Sequence, residues 1–402
     1  MAETSHIHPD DLRGAARLAT DATIGATDLV EALHLAIARP QWLFGAPADG
    51  RTGGLTGAVY ASVRGVTRLV GGGVDATIAA LGPLLGARPP SPERDTTIAV
   101  LNGVLGDYLA ASANPLAQGM ELRWQGRALD LAAIDSVAPQ LGGKILLLVH
   151  GLCLNERSWS HNGHDHGALL AAELGYTPLY LRYNTGLHIS VNGRMFADLL
   201  ERLADAWPVP IAELAIVGHS MGGLVTRSAC HDGAAAGHRW LRHLRALVFL
   251  GTPHHGAPLE RRGNELHGLL GATPYTAAFA RLGAIRSAGI TDLRYGSLVD
   301  EDWAARDRFA PGADRRQRVP LPDGVACSTV GATTGRSAGD LRDTLLGDGL
   351  VPLASALGTH PNPDLSVPFD AANQWIGYSM SHLDLLHRRD VYERVRGWLT
   401  DN

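Results

Sequence analysis

The stretch Leu214-Ala-Ile-Val-Gly-His-Ser220-Met-Gly-Gly223 decides how this chain must fold. Its first four residues form a short apolar run without polar alternation, the pattern of a strand buried on both faces. From Met221 to Asp232 the pattern becomes helical. Between the two, Gly218, Gly222 and Gly223 flank a serine. A strand that turns abruptly into a helix forces the corner residue into a strained conformation, and side chains on its neighbours would collide there. Such a turn lifts the Ser220 hydroxyl above the sheet edge. It also sets that hydroxyl at a helix N-terminus, where free N–H groups favour developing negative charge.

Similar apolar runs recur on either side: Lys144–Val149, Thr177–Leu181, Ala246–Leu250 and Val325–Val330. Helical stretches such as Ser190–Trp207 separate them, which predicts a mostly parallel central sheet built from alternating strands and helices. Met120–Leu131 alternates with a period of two about Gly126 and reads as a hairpin. Upstream, the period is helical. Asp10–Arg39 repeats Leu12, Ala15, Ala16, Ala19, Ala22, Ala26, Leu29, Val30, Leu33 and Ile37 at helical spacing. Leu55–Leu85 predicts a second helix, broken at Gly71-Gly72-Gly73, and Arg94–Ala111 a third with Ile98, Leu101, Leu105 and Leu109 on one face. The last helix is expected over Asp390–Leu399. The chain therefore divides into a helical N-terminal accessory region, 1–115, and an α/β domain, 116–402.

A serine hydroxyl is a weak nucleophile at neutral pH and needs a base and a group that orients the base. In this architecture the chain order is serine, acid, histidine. Asp348, between two glycines in a loop after the Val325–Val330 strand, is the expected acid, with Asp340 and Asp343 as competitors. His382, just before the C-terminal helix, is the expected base; His387 and His360 are the alternatives. The oxyanion of a tetrahedral intermediate needs preorganised N–H donors. Met221, directly after the serine, supplies one. Leu152, in the loop that follows Lys144–Val149, supplies the other, with Cys153 as the next choice. His150 reads as a structural hydrogen-bonding residue. This chemistry calls for neither a metal nor an organic cofactor.

The 402 residues exceed the needs of one ordinary domain, and 45% hydrophobic against 19% charged residues excludes a chain that is disordered over most of its length. With 35 Lys+Arg against 40 Asp+Glu and a pI near 6.4, nucleic acid is not an expected partner. Cys153, Cys230 and Cys327 are odd in number and widely spaced, so a disulfide framework is not expected. The first residues lack the basic and apolar regions of a secretory signal, and Arg64, Arg68 and Asp75 interrupt the most apolar stretch. A cytoplasmic location without a transmembrane segment is the expectation.

The ordered set HGLCLNERSW (150–159), GHSMGG (218–223), GTPHHG (251–256), GDGLVP (347–352) and SHLDLL (381–386) resembles the α/β-hydrolase superfamily. Within it, the set is similar to bacterial lipase- and esterase-type serine hydrolases, and in part to a deacylase-like branch acting on lipid esters. The resemblance covers about 120–402. It implies an α/β-hydrolase fold and hydrolysis of a carboxylic ester through an acyl-enzyme on Ser220, without fixing the substrate; the apolar residues of the 258–320 insertion lead us to expect an apolar acyl group. The same triad would serve a thioesterase, a polyester depolymerase or an acyltransferase, and a silent hydrolase fold could act as a binding protein.

Three regions invite a functional and a plain reading. The cluster His161, His164, Asp165 and His166 offers metal-ligand types but no spacing that converges them, and reads as a surface loop. The 258–320 insertion carries Leu259, Leu266, Leu269, Leu270, Phe279, Leu282 and Ile285, and is expected to be a helical cap, mobile or fixed. The N-terminal helices either pack as a permanent layer or lay Leu55–Leu85 on a lipid, granule or polymer surface.

Overall fold

The computed structural model describes residues 8–38, 51–85, 91–257, 286–310, 313–337 and 347–400. Ten strands are described: β1 (Glu121–Trp124), β2 (Arg127–Ala128), β3 (Lys144–Val149), β4 (Ser160–His161), β5 (His164–Asp165), β6 (Thr177–Arg182), β7 (Glu213–His219), β8 (Leu244–Leu250), β9 (Ala326–Thr333) and β10 (Gln374–Tyr378). The described helices are α1 (Pro9–Ala38), α2 (Gly54–Leu85), α3 (Pro92–Ala111), α4 (His166–Leu174), α5 (Ile189–Ala206), α6 (Met221–Ala236), α7 (Ala288–Asp292), α8 (Leu353–Ala356) and α9 (Arg389–Thr400).

Eight strands make one sheet in the order β10-β9-β8-β7-β3-β6-β1-β2. From β10 to β6 all neighbours run parallel, and the β1–β2 hairpin adds antiparallel to β6. The centre is dry, because Ile145 to Val149 and Leu214 to Val217 are buried on both faces. One face carries α5 and α6, with Phe196, Leu200, Leu224 and Val225 packed on Leu147, Ile216 and Leu247. The other carries α4 and α9, with Leu170, Val391 and Val395 on Leu146, Val217 and Val248. The sheet reverses its strand order at β3, β7 and β6, so the loops after β3 and β7 open at the carboxyl edge where such sheets place their ligands.

Two expectations for the helices need correction. The break predicted at Gly71-Gly72-Gly73 is absent, and α2 runs unbroken from Gly54 to Leu85. A β-carbon on Gly71 would lie 2.2 Å from Thr20 Oγ1, so this glycine serves a close crossing with α1. In α3 the fully buried face, Asp95, Ala99, Asn102, Gly103, Gly106 and Leu109, shares only Leu109 with the predicted apolar stripe, whose Ile98, Leu101 and Leu105 are half buried. Small and polar residues are inside because α3 lies hard against loops of the α/β body. The α1–α2 hairpin is also inverted relative to the usual pattern. Its seam is polar: Arg64 binds Asp28 at 2.9 Å and Glu31 at 2.5 Å, and Asp75 binds Arg13 at 3.1 Å and Arg17 at 2.7 Å. Many of its large apolar residues face outward, with Leu12, Val30, Val59, Val63, Val66, Leu69, Val70, Val74 and Leu81 exposed, while Leu18, Ile24, Leu29 and Ile78 are half buried.

The cap residues Leu259 to Ile285 lie outside the described residues, as do Asp340 and Asp343. The part of the insertion that is described is tied down. Ser287 donates to Gly103 O at 2.6 Å, and Asp292 accepts from the Ile189 N–H at 2.8 Å. β10, which follows a helical turn in the chain, had no counterpart in the sequence reading; its run Gln374-Trp375-Ile376-Gly377-Tyr378 is only half buried at the sheet edge. No described helix is long and apolar enough to cross a membrane.

Candidate active site

Ser220 stands between β7 and α6 with φ 53° and ψ −126°, a conformation costing about 1–3 kcal/mol for a residue with a side chain. Local sequence makes it attainable. A β-carbon on Gly222 would come within 2.3 Å of Val149 O, and one on Gly218 within 2.7 Å of the Gly223 Cα. With those positions bare, α6 closes onto β3 and the turn stays tight. The Ser220 N–H is taken by Leu250 O at 2.8 Å, which ties the corner to the end of β8. Ser220 is half buried.

The same edge receives His382 and Asp348. His382 Nδ1 lies 2.6 Å from Asp348 Oδ2, both groups buried. Asp348 is held from the other side, since its Oδ1 accepts the N–H groups of Leu350 at 3.0 Å and Val351 at 2.8 Å. Its carbonyl accepts the His382 N–H at 3.1 Å. Gly347 makes this loop possible: its φ is 54°, and a β-carbon there would sit 2.0 Å from Val351 O. The competing histidines lie elsewhere. His387 Nε2 faces Asp384 at 3.5 Å, and the His360 ring accepts the Asn362 N–H at 3.0 Å.

His219 was not singled out in the sequence. It is fully buried, its Nε2 donates to His382 O at 3.1 Å, and its ring centroid lies 4.7 Å from that of His382. It therefore links the serine corner to the histidine loop. Its place beside Ser220 in GHSMGG was visible, but its partner, more than 160 residues downstream, was not.

Leu152 and Met221 flank the same corner. A β-carbon on Gly151 would lie 2.9 Å from the Ser220 Cβ, so the β3 loop runs directly beside the serine. Among the described residues neither Leu152 N–H nor Met221 N–H is paired with an acceptor. The alternative donor Cys153 is engaged, its N–H bonded to Thr185 Oγ1 at 3.2 Å. His150 is buried, stacked on Tyr183 at 4.5 Å. Cys230 and Cys327 are buried, and burial raises both thiols, Cys327 to about 12.

The His161–His166 segment differs from the expected surface loop. β4 and β5 form a small hairpin there, and His166 is buried, with Nε2 bonded to Leu385 O at 3.0 Å and Nδ1 to His164 Nε2 at 2.9 Å. Among the described residues no group of three or more His, Cys, Asp or Glu side chains is placed to hold a metal ion.

Burial gives these histidines a consequence for stability. It pushes His150 and His166 down to about 4 and His219 well below its ordinary range, because desolvation of the imidazolium outweighs the backbone hydrogen bonds of all three and the Glu156 charge near His150. In the unfolded chain they protonate near 6.5. Between about pH 6.5 and 4 the unfolded state thus binds protons that the folded state refuses, and stability falls as pH falls. For His150 and His166 the loss by pH 4 is expected to be on the order of 3 kcal/mol each. Urea denaturation at pH 7.5, 6, 5 and 4 checks this; a flat midpoint over that range would contradict it.

Residues 140–319 match the family model described as a PGAP1-like alpha/beta domain. Among solved structures, the chain is similar to the mature form of the lipase BlEst2 of Bacillus licheniformis, at 16% identity over 63% of this chain and 91% of that one, with a TM-score of 0.39. It is similar to EstA of Clostridium botulinum at 13% identity, over 65% and 88%, with a TM-score of 0.39. Lipase B of Aspergillus fumigatus is similar at 11% identity, over 96% and 83%, with a TM-score of 0.39. No curated protein sequence matches the chain.

Proposed function

We propose, for a chain of the α/β-hydrolase superfamily, that Ser220 is the nucleophile of a carboxylic-ester hydrolase working through an acyl-enzyme. One observation carries the reading: a serine in a strained elbow at a helix N-terminus shares an edge with an imidazole whose Nδ1 is fixed 2.6 Å from a buried, doubly anchored carboxylate. With Nδ1–H held by Asp348, Nε2 is the basic nitrogen of His382. It takes the Ser220 proton as Oγ attacks the ester carbonyl carbon. The C=O electrons move onto oxygen, and the N–H groups of Leu152 and Met221 receive the oxyanion. Collapse expels the alkoxide, which leaves as the alcohol with the proton from His382. Water, activated by the same nitrogen, then releases the acid and restores Ser220. The test is turnover of p-nitrophenyl esters of increasing acyl length, together with labelling of Ser220 by a fluorophosphonate. Absence of both in folded protein would refute the reading.

The catalytic unit in this reading begins before residue 116, because α3 packs on the loops that form the site. For α1 and α2, the inverted hairpin favours a lipid surface as the contacting phase. In α2 a broad arc of exposed apolar residues carries Arg68 as its only charge without a described partner, whereas Arg64 and Asp75 are paired inward. Apolar side chains that face outward gain by entering acyl chains. The full chain is expected to float with phosphatidylcholine–phosphatidylglycerol vesicles, and the double variant Val66→Glu/Val70→Glu to remain in the soluble fraction. Equal flotation of both would dismiss this role.

A further inference from the structure

We infer that Thr185 is a positioning residue for the oxyanion donor Leu152, acting through the peptide of Cys153. The inference rests on the reading of Ser220 as nucleophile.

The loop after β3 is a four-residue turn, Gly151 to Leu154, closed by the Leu154 N–H on Gly151 O at 3.3 Å. Its third residue, Cys153, has φ 60°. A positive φ at that position with an ordinary φ before it is the type II pattern, which normally takes glycine there. A residue with a side chain holds this geometry only when its surroundings impose it. Two contacts do so. Thr185 Oγ1 accepts the Cys153 N–H at 3.2 Å, and so fixes the central peptide of the turn. From behind, α3 presses on the same residue: a β-carbon on Gly103 would lie 2.2 Å from Cys153 Sγ and 3.0 Å from its Cα.

An acceptor can fix a peptide only if it is itself immobile, and Thr185 is. It is 1% exposed. Its neighbour Asn184 accepts the Gly186 N–H at 3.0 Å and donates to Gly106 O at 2.9 Å, while Asn192 donates to Asn184 O at 2.9 Å. The chain of restraint runs from α3 and α5 through the Asn184–Gly186 loop to Cys153, and from there to the adjoining peptide that carries the Leu152 N–H. Donors to an oxyanion must be held within roughly 0.5 Å of the productive geometry. Loss of the Thr185 hydroxyl leaves a weakly closed turn with its third residue strained, free to relax toward negative φ and carry Leu152 with it.

The test uses the full chain, p-nitrophenyl butyrate as substrate and phenylboronic acid as a probe that becomes tetrahedral on Ser220. Rates are normalised to sites titrated with fluorophosphonate. Thr185→Val keeps the shape and removes the acceptor; Thr185→Ala removes it without a branched side chain, should the valine variant fold poorly; Thr185→Ser keeps it. We expect kcat to fall 10- to 100-fold in Thr185→Val and Thr185→Ala with KM within twofold, phenylboronic acid binding to weaken in parallel, and Thr185→Ser to stay within threefold of wild type. A residue that only stabilises the fold would lower the titrated fraction and leave kcat per site unchanged. Active wild type with kcat per site within twofold in both variants lacking the hydroxyl would overturn the inference and leave the serine-hydrolase reading standing. Wild type that neither turns over nor labels would defeat that reading, and the inference with it.

Discussion

Ser220→Ala is expected to lower kcat/KM for p-nitrophenyl esters by roughly 10⁵–10⁶-fold and to abolish fluorophosphonate labelling. The substitution removes one oxygen and nothing else of consequence. The β-carbon is retained, so the backbone at φ 53° carries the same strain in both proteins, and the bond from the residue 220 N–H to Leu250 O is independent of the side chain. The thermal midpoint should therefore stay within a few degrees of wild type. What activity survives would come from water attacking an ester bound in the site, assisted by the oxyanion donors. Turnover above one-hundredth of wild type would show that Ser220 is not the nucleophile. The same assay separates substrate classes, since a rate that climbs with acyl length points to an apolar acyl site and one that falls points to a short-chain esterase.

Asp348→Asn is expected to cost about 10⁴-fold in kcat at neutral pH, with the fold retained. The reason lies in how the carboxylate is anchored. Oδ1 accepts two backbone N–H groups, from Leu350 and Val351, and Oδ2 faces His382 Nδ1 at 2.6 Å. An asparagine has one oxygen, and the two N–H donors claim it. Its amide NH₂ then points at His382 Nδ1, which must become an acceptor, so the proton moves to Nε2, and the nitrogen that the proposed mechanism needs as the base can no longer take one. The geometry survives with the wrong tautomer. A rise in rate with pH, or the chemical shifts of His382 in the variant, would reveal the changed proton position. Near wild-type kcat in Asp348→Asn would indicate that another carboxylate orients the base.

Much of the site was legible because its parts are local. GHSMGG announces a strand, a corner and a helix within ten residues, and the elbow follows from the sterics of that junction. GDGLVP could be read as a tight loop around one carboxylate, since Gly347 must adopt a positive φ. The stripe expected on α3, by contrast, holds only at Leu109, because hydrophobic periodicity assumes a core of large side chains. Here the partner is a set of loops approaching so closely that only Ala99, Gly103 and Gly106 fit, with Asn102 satisfying buried backbone groups such as Leu116 O at 2.8 Å. The predicted α2 break failed for a related reason, because a glycine needed for a helix crossing looks the same in sequence as one that ends a helix. The apolar stripes of α1 and α2 gave the right helices but left open which side they face, because the seam is held by ion pairs such as Arg64–Glu31.

By itself, the sequence determined the α/β alternation, the serine corner and the order in which candidate acid and base follow it, since each depends on side chains within a few residues of one another. Only the tertiary structure decided which carboxylate meets which imidazole, that His219 braces His382, and that Thr185 and Gly103 grip the loop bearing Leu152. Those contacts join segments tens to hundreds of residues apart. Their angles and distances come from closing the whole sheet with its helices, and no local spacing encodes them.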